Sequence, residues 1–351
     1  MENLTGLATG IGSLPHKDAQ AALELVFQYC PQIPFWPQLP KRDIREGMLA
    51  QLSERLPGLR LTKDGLEFCG RDKDRELEIF YERLIARDKE YFRISPDYAR
   101  GLYGFKEALG KKDLASVCAI KCHSVGPFTF AAGIKDESGA ALLHDAVLMQ
   151  AVIKGLSMKA LWQIDFFRPF GKKIIIFLDE PYLGCFGSAY TPINREEVVK
   201  GLTEMAAAVK AQDTLVGVHC CGNTDWSIFT EIEGIDIINF DAFGYLDRFC
   251  LYAGGLQKFL RAGKYICWGV VPTQELAGAV TAEGLKNKVL QGVDTLAKKG
   301  VDRDLAFKQL LLSPACGLGT LSPAKAKGIL KLLSKTSALF ENAFLKGHSA
   351  S

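Results

Sequence analysis

The chain has 351 residues, of which 48% are hydrophobic and 24% charged, proportions that are typical of an ordinary soluble globular protein. Its 43 lysines and arginines nearly balance its 40 acidic residues, and the net charge of +3 gives no electrostatic reason to expect a nucleic acid or an anionic membrane surface as partner. We therefore expect the partner to be a small molecule or another protein.

The N-terminal sequence and the cysteines indicate the compartment. No stretch approaches the roughly 18 apolar residues that span a bilayer. The segment MENLTGLATGIGSLPHKDAQ lacks the basic start and uninterrupted apolar core of a signal peptide. We therefore expect a cytoplasmic protein whose ten cysteines are buried thiols, metal ligands or reactive groups rather than a disulfide framework.

The first predicted elements are two short strands and an insertion. LATGIGS near the N-terminus and FWPQLP at Phe35–Pro40 read as the strands. LRLTKDGLEFC at Leu59–Cys69 then predicts a hairpin around an Asp-Gly turn, and a heavily charged segment follows at Arg71–Lys106. We expect an insertion at about residues 56–106, after the second strand.

Six further β-rich runs alternate with amphipathic patterns such as Glu196–Ala211 and Thr281–Lys299. This alternation predicts parallel strands with crossover helices. The count of eight strands favours an α/β fold of the (β/α)8 TIM-barrel type, as a single domain over residues 1–351; an open doubly wound sheet is the alternative. The six runs are Ser116–Ser124, Lys173–Asp179, Thr214–His219, Ile235–Asp241, Tyr265–Val270 and Leu310–Ser313.

Metal-binding residue types follow three of these strands. In VHCCG, alternate residues of a strand point to the same side, about 7 Å apart, so His219 and Cys221 can converge on one ion while Cys220 faces away. Asp241 ends the next strand and Cys316 follows the last one. Because the carboxyl ends of parallel barrel strands share one face, the set predicts a zinc site, with packing as the alternative for each residue taken alone.

Three other loci follow strand ends. In GIGSLPH, the backbone at Ile11 and Gly12 and the hydroxyl of Ser13 suit a carboxylate, although a tight turn is the alternative. Asp179 can hold a substrate ammonium or accept a proton. His123 is a candidate proton carrier, with packing as its alternative.

Five motifs together resemble the catalytic barrel of cobalamin-independent methionine synthase. They occur in the family's order between Gly10 and Thr320, and the fold and the H-x-C pattern are shared with the uroporphyrinogen decarboxylase superfamily. The motifs are GIGSLPH, GPFTF, DEPYLG, HCCGNTDW and SPACGLGT.

The resemblance implies a zinc-dependent methyltransferase that acts on a small thiol, with homocysteine as the first candidate. His219, Cys221 and Cys316 resemble the zinc ligands, and Asp241 stands where the family has a ligating glutamate. Ser13, with the backbone of Ile11 and Gly12, resembles the part that binds the homocysteine carboxylate. Asp179 resembles the residue that binds the ammonium of homocysteine. Asp179 is therefore a candidate for substrate binding as well as for catalysis.

Three departures from the family qualify this expectation. A substrate-binding glutamate is replaced in KRDIR, where Asp43 is the candidate substitute, and the proton-relay histidine aligns with Val271–Gln274, where there is none. The family's additional N-terminal barrel, which helps to bind methyltetrahydrofolate, has no counterpart in this sequence. We therefore expect a methylcorrinoid or a corrinoid protein as donor, with methyltetrahydrofolate as the alternative.

Two other functions remain open. One is a uroporphyrinogen decarboxylase-like enzyme, which the lack of clustered arginines after the glycine motif disfavours. The other is a non-catalytic module that binds zinc or a corrinoid.

Overall fold

The computed structural model describes residues 4–188, 193–210, 213–274 and 280–348. Its main sheet contains six parallel strands, each hydrogen-bonded to the next strand along the chain, and a separate antiparallel pair precedes them. The strands, numbered in chain order, are β1 (Leu59–Thr62), β2 (Gly65–Phe68), β3 (Ala119–Val125), β4 (Lys173–Asp179), β5 (Leu215–Cys220), β6 (Ile237–Phe240), β7 (Tyr265–Val271) and β8 (Leu310–Pro314).

Helices connect successive parallel strands, as the sequence pattern predicts. The run predicted at Glu196–Ala211 is a helix that ends at Lys210, and Ala211 itself lies outside the described residues. The helices are α1 (Ala19–Tyr29), α2 (Lys73–Ile85), α3 (Arg100–Leu109), α4 (Pro127–Ala132), α5 (Ala146–Phe167), α6 (Arg195–Lys210), α7 (Ser227–Glu231), α8 (Leu246–Phe249), α9 (Ala253–Arg261), α10 (Ala282–Lys298), α11 (Arg303–Lys308) and α12 (Pro323–His348).

Aspartate side chains cap the starts of two helices. Asp18 and Asp145 accept hydrogen bonds from the first backbone N–H groups of α1 and α5, which would otherwise lack partners. Within the described ranges, no helix combines the length and the apolar character needed to cross a membrane.

The two N-terminal segments are less regular than predicted. In place of strands, the described residues show isolated parallel bridges between Ala8 and Leu312, between Ser13 and Gln38, and between Phe35 and Lys121. Prolines at 34, 37 and 40 cannot donate to a ladder, and the glycines at 10 and 12 weaken a regular strand. Six of the eight predicted strands are therefore regular strands among the described residues, and the curled six-stranded sheet that they form fits a TIM-like barrel.

Side chains inside the curved sheet form their own buried cluster. It contains strand residues such as Phe177, Ile237 and Leu311, together with Leu4 and Leu7 of the N-terminal segment, but no helix residue. The opposite sides of the strands pack against the helices in a larger core. Successive side chains of each strand thus point alternately into the two clusters. Both sides of the sheet are therefore apolar, which is typical of a parallel sheet covered by helices.

The predicted hairpin is present. β1 pairs antiparallel with β2, with Leu59 opposite Phe68 and Thr62 opposite Gly65, so Lys63 and Asp64 are the turn residues. Gly65 has a φ of +138°, which a residue with a side chain rarely adopts. The single-domain organisation and the extent of the insertion, about 56–106, stay predictions.

Candidate metal and substrate site

The structure brings His219, Cys221 and Cys316 together at the carboxyl ends of β5 and β8. One donor atom from each residue lies within 4.8 Å of the other two. His219 is buried and the two cysteines are half-buried, whereas the Cys220 thiol points away towards the carbonyl of Gly222, at 3.7 Å. This is the arrangement that the alternation of side chains along a strand predicts.

The three groups influence one another's protonation. Hydrogen bonds from Cys221 and His219 lower the pKa of Cys316, against the opposing effect of burial, and the hydrogen bond to Cys316 raises the pKa of Cys221. Burial lowers the pKa of His219, but the hydrogen bond with Cys316 and the charge of Asp179 outweigh burial and raise it overall. The contact between the two thiols therefore favours the loss of one proton from the pair over the loss of both.

The donor set suits zinc. One imidazole nitrogen and two thiolate sulfurs match its preference for nitrogen and sulfur ligands and disfavour Mg²⁺ and Ca²⁺. If all three bound one ion, a fourth position would be left for an exchangeable group, as is typical of catalytic rather than structural zinc sites.

A cavity of about 310 Å³ opens beside this group. Asp179 lines it, and one oxygen of its carboxylate is buried without a hydrogen-bond partner among the described residues. Burial raises the pKa of Asp179 to about 6, although the charges of His219 and Lys121 act against this rise. An unpaired carboxylate oxygen is a ready acceptor for a cationic ligand. The lining residues are Ile11, Ser13, Gln38, Pro40, Met48, Asp179, Pro181, His219, Cys221, Cys316, Gly317, Gly319 and Thr320.

Ser13 connects two walls of this cavity. Its hydroxyl oxygen accepts a hydrogen bond from the Gly319 N–H at 3.1 Å, and its carbonyl accepts one from Leu318 at 3.0 Å. A β-carbon on Gly317 would lie only 2.4 Å from the Ser13 hydroxyl oxygen. The loop that carries Cys316 therefore packs directly on the loop after the first predicted strand.

The backbone beside Ser13 rests on buried side chains. A β-carbon on Gly12 would lie 2.7 Å from the ring of His123, so only glycine fits there without displacement. The carbonyl of Ile11 accepts a hydrogen bond from the buried Lys121 amine at 2.5 Å. Sequence analysis missed Lys121, whose pKa burial lowers to about 8.

His123 lies behind this loop rather than on the wall of the 310 Å³ cavity. Its ring stacks on Trp36 at 3.7 Å between centroids, and neither ring nitrogen has a hydrogen-bond partner among the described residues. Burial lowers the pKa of His123 well below its usual value, which keeps the ring neutral. This placement favours a packing role over the predicted catalytic one.

The structure does not bring Asp43 to the cavity. Both of its carboxylate oxygens bind the Arg45 guanidinium, at 2.9 and 2.8 Å, and this hydrogen bonding holds the pKa of Asp43 well below its usual range. The predicted role of Asp43 in substrate binding stays a prediction.

Asp241 borders a second cavity, of about 550 Å³, which also reaches Cys221 and Cys316. One Asp241 oxygen accepts hydrogen bonds from the N–H groups of Phe243 and Gly244, both at 2.9 Å, and the residue lies outside the group of three close donors. Burial raises the pKa of Asp241. Its predicted role as a zinc ligand stays a prediction.

Two further polar residues support the site, and sequence analysis did not identify their contacts. Asn239 in β6 binds the His219 ring at 2.5 Å between Oδ1 and Nδ1. Glu180, next to Asp179, is buried and accepts hydrogen bonds from the N–H groups of Phe128 and Thr129, which start α4. Asn239 thus contacts a candidate ligand, and Glu180 joins the end of β4 to the start of α4.

Among solved structures, the chain is similar to a B12-independent methionine synthase from Shewanella sp. W3-18-1, determined in complex with selenomethionine. The TM-score is 0.61 at 18% sequence identity, over 98% of this chain and 99% of that one. No protein-family model and no curated protein matches the sequence. At this level of identity, the likeness shows that the two chains share a fold.

Proposed function

We propose that this protein is a zinc-dependent methyltransferase that methylates a small thiol, with homocysteine as the first candidate acceptor. The observation that carries the proposal is the convergence of His219, Cys221 and Cys316 on the wall of a cavity that Asp179 also lines, with one buried carboxylate oxygen that has no hydrogen-bond partner among the described residues. The similarity in fold to a methionine synthase supports it.

The metal would be held by the imidazole of His219 and the sulfurs of Cys221 and Cys316. When bound, zinc lowers the pKa of a coordinated thiol, so that the acceptor is present as a thiolate, the nucleophilic form, at neutral pH. Asp241, on the other cavity shared by the two cysteines, is the candidate for the remaining position before the acceptor arrives.

The other side of the 310 Å³ cavity suits the amino-acid end of the acceptor. The ionised carboxylate of Asp179 would bind its ammonium. The Ser13 oxygen already accepts a hydrogen bond from Gly319, so its own proton is free to be donated to the acceptor's carboxylate. Holding both ends fixes the sulfur beside the metal group, and positioning of this kind supplies several kcal/mol of rate enhancement.

The methyl donor is part of the same proposal. The 550 Å³ cavity is lined by both cysteines and otherwise by residues different from those of the 310 Å³ cavity, and it would have space for the methyl-bearing part of a donor. A methylcorrinoid or a corrinoid protein is the first candidate, and methyltetrahydrofolate the alternative. A cytoplasmic location fits, because a reducing compartment keeps ligand thiols free.

The finer architecture that we propose is a closed (β/α)8 barrel formed by one domain. Hydrogen bonds join the two outer strands through the N-terminal segments: Thr9 N–H to the carbonyl of Leu312 at 3.0 Å, Leu14 N–H to that of Gln38 at 2.8 Å, and Lys121 N–H to that of Pro34 at 2.9 Å.

The direct test is metal analysis followed by zinc X-ray absorption spectroscopy with and without L-homocysteine. We expect stoichiometric zinc and an additional sulfur neighbour when the thiol is added. Turnover assays with methylcobalamin and with methyltetrahydrofolate would then identify the donor. Zinc that shows no spectral response to any thiol would contradict the proposal and favour a metal-binding module.

A further inference from the structure

We infer that Asn239 is a positioning residue that fixes which nitrogen of His219 faces the two cysteines and connects that ring to the strand that leads to Cys316. The inference rests on the proposed function in one respect, namely that His219 is a metal ligand. It assigns a role to a residue that lies outside the motifs.

The placement of Asn239 follows from the register of the sheet. β5 and β6 pair in parallel with His219 opposite Asn239, so the two side chains point to the same side of the sheet. Asn239 is fully buried, and its Oδ1 lies 2.5 Å from Nδ1 of His219.

The orientation of the Asn239 amide is fixed by its other contacts. Its nitrogen lies 2.9 Å from the carbonyl oxygen of Cys267 and 2.8 Å from the hydroxyl of Ser313. A carbonyl oxygen only accepts hydrogen bonds, so the atom that faces it must be the NH₂ group, and the amide oxygen must face the imidazole. The amide therefore has a partner at each of its polar atoms.

This orientation determines the tautomer of His219. Because an amide oxygen only accepts, Nδ1 of His219 must carry the proton and donate it. The other nitrogen, Nε2, is left with its lone pair for a metal ion beside Cys221 and Cys316. A hydrogen bond of this kind, from a ligating histidine to an outer acceptor, fixes the orientation of the ring and raises its basicity.

The same amide connects the two halves of the metal group. Ser313 accepts from the Asn239 amide and donates to the carbonyl of Pro314 at 2.9 Å, on the strand that leads to Cys316. A single side chain on β6 thus contacts residues on β5, β7 and β8.

The first measurement is made on the wild-type protein and needs no variant. Long-range ¹H–¹⁵N NMR of ring-labelled histidine should show the His219 proton on Nδ1 in the zinc-loaded protein, and also in the metal-free protein at a pH at which the ring is neutral. A proton on Nε2 in either form would overturn the inference. Because the metal-free spectrum is independent of zinc, failure to bind zinc would contradict the proposed function without deciding this result.

The second measurement compares three variants in their affinity for zinc, determined by chelator competition. Asn239→Leu removes the acceptor and should raise the zinc dissociation constant about 10–100-fold. Asn239→Asp retains an oxygen that accepts from Nδ1 and should recover most of that loss. Ser313→Ala leaves the contact with His219 intact, and its effect should be smaller than that of Asn239→Leu.

Gln163→Leu is the matched control, because Gln163 is another fully buried amide with partners at both ends, Trp36 and the carbonyl of His123. It should leave the zinc dissociation constant within about twofold of wild type, because its contacts lie outside the metal group. The absorption spectrum of the Co²⁺-substituted protein provides a second readout, which should change for Asn239→Leu and not for the control. Equal zinc affinity in Asn239→Leu and wild type would contradict the inference.

Discussion

On one side of the 310 Å³ cavity, β5 and β8 are regular strands that place His219, Cys221 and Cys316 at or just beyond their ends. On the other side, Ile11 and Ser13 belong to a segment that is joined to its neighbours by isolated bridges. The first side depends on the backbone ladder for its geometry. The second depends on side-chain hydrogen bonds and on glycines that leave room for close packing.

Because the two sides are built differently, we expect substitutions on them to affect different properties. Substitutions on the strand side should act on metal retention, because the ligands are there. Substitutions on the N-terminal side should act on binding of the acceptor and leave the metal in place. Substitutions where the two loops touch, at Ser13 and Gly317, should affect both properties.

The largest effect is expected on the strand side. Cys221→Ala and Cys316→Ala should each abolish zinc retention through gel filtration, and with it methyl transfer, because only two of the three close donors remain. Cys220→Ala is the matched control, since its thiol points away from the group, and it should retain zinc. Metal analysis by mass spectrometry distinguishes the cases, and equal loss of zinc in all three variants would contradict the assignment based on strand facing.

The sequence predicted the strand side well for a physical reason. Alternation along β5 separates Cys221 from Cys220, and parallel strands bring their carboxyl ends to one face, so residue spacing alone predicts which side chains meet. Asn239 could not be found in this way. Its contact with His219 depends on the register between β5 and β6, which neither strand's own sequence specifies.

The N-terminal side was harder to predict. Pro34, Pro37 and Pro40 turn a predicted strand into a segment with isolated bridges, and the residues it contacts are distant in sequence. Lys121 reads as an interruption in an apolar run, yet it supports the Ile11 carbonyl. Asp43 resembled a substitute for a family carboxylate, but a single sequence does not show that Arg45 binds both of its oxygens.

Asp179 gives the next largest effect. Asp179→Asn should raise the KM for homocysteine about tenfold or more and leave zinc content unchanged, because a neutral amide no longer attracts the ammonium. Since burial raises the pKa of Asp179, acceptor binding by the wild type should weaken as the pH falls and the carboxylate is protonated. Asp179 ends the regular strand β4 but is not one of the three close donors, so loss of zinc in Asp179→Asn would contradict the separation of acceptor binding from metal retention.

Asp179 should also affect the free energy of unfolding of the metal-free protein. A carboxyl whose pKa is raised on folding favours the folded state at pH values below its unfolded pKa, about 3.9, and this contribution is lost as the pH rises through about 6. Asp179→Asn should therefore be more stable than wild type at pH 7, by about 1–3 kcal/mol, and the difference should shrink towards pH 4. Chemical denaturation at the two pH values measures it.

An intermediate effect is expected where the two loops meet. Gly317→Ala places a β-carbon 2.4 Å from the Ser13 hydroxyl oxygen and must displace either that hydroxyl, with its hydrogen bond from Gly319, or one loop, at a cost of about 1–3 kcal/mol in stability and with weaker zinc binding. In Ser13→Ala the oxygen is gone, and the next Ser13 atom lies 3.7 Å away, an ordinary contact. Gly317→Ala should thus cost less in the Ser13→Ala background. Additive effects in this double-mutant cycle would show that the loops do not pack against each other there.

The smallest effect is expected at Asp43, and it tests how the N-terminal side recognises its ligand. Asp43→Asn removes a charge that Arg45 already neutralises, at a position outside the cavity wall, so the KM for homocysteine should change by less than about twofold. Asp179→Asn is its matched partner, the same change of a carboxylate to an amide on the cavity wall. If Asp43→Asn raised KM as much as Asp179→Asn, a substrate-bound rearrangement would have to bring Asp43 to the acceptor, and the N-terminal side would then be assembled only when its ligand binds.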